Sequence, residues 1–274
     1  MEEITPEMAK EVLSMLLGGG DSEGINTSLA LHLVPLADEI GEAEVAERLL
    51  KHAEAVAENE VEKGWASFES LKREGKSADD FLGLAMSLQD VEGNEPLSAA
   101  VYHHASLLIL SAGDLDAASS MVSRSMRLRD DAGDIEGRVY GLAVLSAIAK
   151  QSGEFEEAIL HEEARLGLLE KMEDKEGQME ALADLAHINA TTGKLNSAKD
   201  QMEKSLEIAL EIDDLSGQLV ARWGLADLAE IMEDWESAML HLSDTLHSFL
   251  NANIPAPEEV RIRIGKLTEI INTN

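Results

Sequence analysis

The chain has 274 residues, enough to bury a sizeable core, and its 45% apolar but only 3% aromatic composition favours helices packed through small and aliphatic side chains over a β-sandwich. A formal net charge of −32, from 54 acidic and 22 basic residues, repels phosphate backbones and anionic lipid surfaces, which argues against nucleic acid and membrane as partners. The absence of cysteine excludes disulfides and thiolate chemistry.

Met1, Glu2 and Glu3 open the chain with no basic region and no apolar leader, and no apolar run reaches the ~20 residues of a membrane span, so the expected compartment is the cytoplasm. Thr5 and Pro6 read as N-cap and first helical residue of a helix over 6–17, which Gly18, Gly19 and Gly20 end. This N-terminal helix and Gly-rich loop take up 1–24.

Residues 25–96 read as degenerate repeats. Gly41 and Ala46 follow a helix carrying Leu29 and Leu33; further on, Gly75 marks a turn and Asp80 stands where a small residue is expected. Residues 97–254 repeat clearly. Gly113, Leu115 and Ala118 recur 40 residues later as Gly153, Phe155 and Ala158, then as Gly193, Leu195 and Ala198, and finally as Glu233, Trp235 and Ala238. Segments opening at Gly137, Gly177 and Gly217 carry paired leucines on the preceding helix: Leu142 and Leu145, Leu182 and Leu185, Leu225 and Leu228. Each unit is therefore a helix, a glycine-capped turn and a second helix. The recurring alanine has a physical cause: helices pack ~8–10 Å apart only where some crossings carry small side chains. From Pro257, a last helix over 257–272 places Val260, Ile264, Leu267 and Ile271 on one face, as a cap for the final apolar surface. No domain-sized linker interrupts the chain, and 1–274 reads as one domain.

The GxFxxA block at Gly153, Phe155 and Ala158 resembles the turn and second-helix signature of the tetratricopeptide repeat (TPR) family, closely over 97–250 and loosely over 25–96. The 40-residue period resembles the long-helix subtype of kinesin light chains and Pins-type scaffolds, and Leu206–Asp213 is similar to that subtype's second-helix ending. The resemblance implies an all-α, right-handed α-α solenoid of TPR-like repeats, capped at both ends, that serves as a protein-binding scaffold. Two departures stand out. The subtype often carries Asn where this chain has Ala147, His187 and Asp227. Co-chaperone members clamp a terminal carboxylate with Lys and Asn, where this chain offers Glu180, Asp227 and Glu230, which argues against a chaperone-tail binder.

In such a solenoid the first helices line an inner groove. The repeat register places there Tyr140, Ala143, Ala147 and Lys150; then Glu180, Ala183, His187 and Thr191; then Val220, Trp223, Asp227 and Glu230, with Trp65 and His103 at equivalent points upstream. The candidate peptide-binding residues are Tyr140, Lys150, Glu180, His187, Trp223, Asp227 and Glu230. Aromatic anchors among carboxylates suit a protein or peptide with a basic or amphipathic segment. Packing of Trp223 against a neighbouring repeat is the plainer alternative, just as general solubility in a salt-rich setting is for the spread-out charge. A homo-oligomer is left open.

Neither metal nor cofactor is expected. His103 and His104 are adjacent and point apart on a helix, His241 and His247 are six apart, and there is no HExxH and no Cys ligand. An enzyme is not expected either: Glu162–Glu163 and Asp130–Asp131 are paired only in sequence, and Gly18–Gly20 lacks the Lys and Ser/Thr of a phosphate loop. The alternatives to a scaffold are a regulator that responds to a peptide or small ligand and, further off, a phosphatase-like activity suggested by repeat proteins with a helical module ahead of the repeats.

Overall fold

A computed structural model describes residues 5–273, and these are all-helical, with fourteen helices and no strand among them. They fall into two compact units, Met1–Gly137 and Arg138–Asn274. None of the helices is long and apolar enough to cross a membrane.

The first unit contains α1 (Pro6–Leu17), α2 (Thr27–Glu39), α3 (Ala43–Val56), α4 (Glu60–Arg73), α5 (Ala78–Ser87), α6 (Glu95–Ser111) and α7 (Leu115–Ala132). The Thr5 hydroxyl accepts from the Met8 amide at 3.2 Å and starts α1 where the sequence predicts. Leu33 and Ala46 are fully buried in a core shared by α1, α2 and α3. The degenerate repeat differs from expectation at Asp80, which is exposed and caps α5 by accepting from the Ser77 amide at 3.0 Å. Because Ser77 is the N-cap, α5 begins one residue later than the template requires. Phe81, fully buried, then stands as far into its helix as Ala118 does in α7. A phenylalanine thus fills the crossing that alanine fills elsewhere. It contacts Phe68 at 5.7 Å and His104 at 4.5 Å between ring centroids, and Trp65, expected in the groove, packs against Phe68 in this cluster at 5.8 Å.

α8 (Ile135–Ser152) starts at the boundary; the second unit continues with α9 (Phe155–Lys171), α10 (Lys175–Thr191), α11 (Leu195–Glu211), α12 (Leu215–Ile231), α13 (Trp235–Asn251) and α14 (Glu258–Thr273). The turns within the pairs use left-handed residues, Gly153 at φ 78° and Gly193 at φ 77°, with Glu233 forced to φ 60° where no glycine is supplied. Ala158, Ala198 and Ala238 are each 0% exposed, so the expected crossings are real packing contacts. The first helices begin two residues ahead of Gly177 and Gly217, behind Asp174 and Asp214, whose carboxylates accept from those glycine amides at 3.0 and 2.9 Å. A Cβ at Gly217 would need the Met179 thioether of the preceding repeat and the Asp214 carboxylate to shift. α14 closes the unit with Leu267 buried against Ala226, Ala229, Ala238 and Leu242.

Candidate acidic groove

α10 and α12, the first helices of consecutive repeats, frame a cavity of about 870 Å³ in the second unit. Its apolar lining comes from Met179, Met202, Val220, Trp223 and Phe249. Met179 and Met202 are buried, and the Met202 methyl reaches the space that a Cβ on Gly224 would take, so the floor is deformable thioether. Carboxylates make the rim: Glu176, Glu180, Asp184 and Asp227. A fifth, Asp214, is committed to capping α12 through the Ser216 and Gly217 amides.

Of the residues singled out from the sequence, Glu180, His187, Trp223 and Asp227 line this cavity together with Ala183 and Val220. Tyr140, Lys150 and Glu230 do not. Tyr140 is 53% exposed on α8, Lys150 lies 3.2 Å from Asp184, and Glu230 is held by Arg263 at 2.8 and 3.0 Å. Trp223 is half-buried; it lines the cavity and also carries the Arg263 guanidinium of α14 over its ring.

Two cations missed by the sequence reading organise the carboxylates. From α9, the Arg165 guanidinium donates to Glu162 at 3.3 Å, to Asp184 at 3.3 Å and to Glu180 at 3.2 Å. Glu162 is 1% exposed, and burial pushes its carboxyl above the usual carboxylate range; the Ser146 hydroxyl and Arg165 oppose that rise while Asp184 adds to it. Its sequence neighbour Glu163 is exposed and takes no part. From α14, Arg263 meets Asp227 at 2.6 Å and Glu230 at 2.8 Å, and its guanidinium carbon sits 5.4 Å from the Trp223 ring centroid. Desolvation raises Asp227 above the usual carboxylate range despite Arg263, with Glu230 and Glu259 adding repulsion. Arg165 carries no sequence signal, because it lies on a second helix outside the groove register. Arg263 does carry one: it stands 40 residues after Trp223, on the same period.

His103 behaves differently from the groove histidine. It is half-buried on α6, where desolvation, then Arg129 and His104, lower its pKa to about 4, so it is neutral at pH 7. His187 is exposed at the cavity. Among the described residues no three His, Asp or Glu side chains gather in a way that could hold a metal ion. The groove instead pairs an adaptable apolar floor with a rim of negative charge, which suits a side chain or segment with an apolar body and a cationic end.

No known family's sequence profile and no curated protein matches the chain. Solved structures do. A signal transduction ATPase of the STAND class with a tetratricopeptide repeat sensor, from Pyrococcus horikoshii, superposes with TM-score 0.67 and 14% identity over 90% of this chain; the chain spans only 38% of that protein. The apo form of RapI gives TM-score 0.67 and 12% identity, covering 94% of this chain and 74% of RapI. BtubC from P. vanneervenii gives TM-score 0.59 and 17% identity, covering 84% and 91% respectively. At such identities the likeness is one of architecture, and the architecture is that of the tetratricopeptide repeat solenoids.

Proposed function

We propose that the chain is a protein-interaction module whose second unit takes a segment carrying an apolar anchor beside Arg or Lys. The observation that carries this is the cavity between α10 and α12, with Met179, Met202 and Trp223 beneath and Glu176, Glu180, Asp184 and Asp227 around it. The anchor would gain affinity from burial on thioether and indole, and the rim would select charge and speed encounter. Lys150, Arg165 and Arg263 pair with Asp184, Glu180 and Asp227, while Glu176 stays exposed and, among the described residues, has no such cation within the rim.

The test is selection of displayed random peptides on the wild-type chain, counter-screened on Trp223→Ala. Enrichment of Arg or Lys beside Leu, Met or Phe, lost on the variant, supports the reading. Peptides retained equally by both proteins would place the binding surface elsewhere.

A second reading, a regulator that responds to a small ligand, draws on the cavity's size of about 870 Å³, which lies in the ~300–1,000 Å³ range of small-molecule sites. The STAND ATPase's repeat region is described as a sensor, which agrees with it. Protection of the folded chain against heat by a cationic amphiphile, but by no peptide, would favour this alternative.

A further inference from the structure

Trp223, Asp227 and Glu230 follow one another at helical spacing along one face of α12, and all three converge on a single guanidinium, that of Arg263. The geometry is that of an arginine site. The ring faces the cation at 5.4 Å, Nε and one terminal nitrogen of Arg263 both donate to Glu230, and that same terminal nitrogen also reaches Asp227. α12 has six buried residues, whereas α14 buries two, Val260 and Leu267, with Ile264 partly buried beside them. The loop leading to α14 contains Asn253 at φ 55°, followed by Pro255 and Pro257. Trp223 and Asp227 also line the cavity, so whatever lies in the cavity is next to the place Arg263 takes.

We infer that Arg263 is an internal stand-in for a partner's arginine, so that α14 and an incoming guanidinium-bearing segment compete for the subsite formed by Trp223, Asp227 and Glu230. This rests on the binding role proposed for the groove and adds the residue type it reads and the element that guards it. Arginine is favoured over lysine because a planar fork can stack and donate to two carboxylates at once, while an ammonium is a point charge. A site closed most of the time by its own helix weakens apparent affinity by the fraction left open, and removing the stand-in restores it.

The experiment uses the full chain and two probes of equal charge, an arginine octamer and a lysine octamer, at one fixed salt concentration. Arg263→Gln keeps Val260 and Leu267, so α14 can still pack, and unchanged helical content by circular dichroism checks the fold. The expected result is that Arg263→Gln binds the arginine octamer about tenfold more tightly than wild type does and prefers it to the lysine octamer. Asp227→Asn with Glu230→Gln should abolish that preference in both backgrounds. In wild type, excess arginine octamer should speed amide exchange in 258–273. Equal affinity in wild type and Arg263→Gln, with α14 still protected when peptide is bound, would show Arg263 to be a fixed strut and overturn the competition while leaving an acidic groove. Failure of both octamers to bind either protein would overturn the competition, whereas the groove's proposed role would fall only if the selected peptides, which carry an apolar anchor, were also retained equally by Trp223→Ala.

Discussion

Glu162 and Arg165 lie one turn apart on α9 at 3.3 Å, with Glu162 1% exposed and Arg165 turned toward Asp184 and Glu180 on α10. Burial raises the Glu162 carboxyl above its ordinary value of 4.5, so the fold favours its protonated form. Its contribution to stability is therefore full below the usual carboxylate range and is lost as pH rises through the raised value. Glu162→Gln, permanently neutral and still able to bond Arg165, should match or exceed wild type near pH 7 by up to about 1 kcal/mol. That difference should shrink as pH falls. Urea unfolding at several pH values checks it, and a variant several kcal/mol weaker at neutral pH would mean that the ion pair outweighs burial.

Glu233 sits at φ 60° in a turn that Gly113, Gly153 and Gly193 occupy in the other repeats. A left-handed non-glycine residue costs roughly 1–2 kcal/mol, against which glycine loses about 0.5–1 kcal/mol of chain entropy on folding. Glu233→Gly should therefore stabilise the chain by about 0.5 kcal/mol, read as a higher unfolding midpoint at constant m-value. A lower midpoint would show that the glutamate side chain contributes something the turn geometry does not reveal.

Ala198, 0% exposed, is packed with Ala186, Met202 and Leu225. Ala198→Leu should overpack this crossing and cost roughly 1–3 kcal/mol in denaturant unfolding. Unchanged stability would contradict the repeat register on which the groove assignment depends.

Much of the fold was legible because a 40-residue period repeats the same small residue, turn and cap, and close helix crossings constrain those positions. Ala118, Ala158, Ala198 and Ala238, read as crossings, are all fully buried. Legibility failed where capping shifted the frame by one: Ser77 starts α5 late, and Phe81, not Asp80, enters the core. In the groove, first-helix periodicity brought together Glu180, His187, Trp223 and Asp227. It could not show that Lys150 and Arg165 share Asp184, since such pairings depend on how far long side chains reach between helices. Arg263 was missed because the template was stopped before α14, although its spacing from Trp223 continues the period.

His103, held neutral by burial with its pKa lowered to about 4 from an ordinary 6.5, gives the first unit its own acid sensitivity. The neutral form is favoured in the fold, so stability from this group is present above about 6.5 and is lost as pH falls toward about 4. His103→Gln should flatten that part of the profile in thermal unfolding followed between pH 7 and 4. An unchanged profile would assign the acid loss to other groups.

The central claim, that the groove between α10 and α12 binds a cationic segment, is tested most directly by affinity across a salt series. The ligand is a basic amphipathic peptide selected on the wild type, and the proteins are wild type, Trp223→Ala and Asp227→Lys. Truncating the indole should cost about 2 kcal/mol, roughly thirtyfold in affinity, and reversing the rim charge should weaken binding most at low salt. Wild-type affinity should fall as the Debye length shrinks from ~10 Å at 0.1 M toward ~3 Å at 1 M. If both variants keep their helical content and bind as wild type does, with no dependence on salt, the groove is not the binding site.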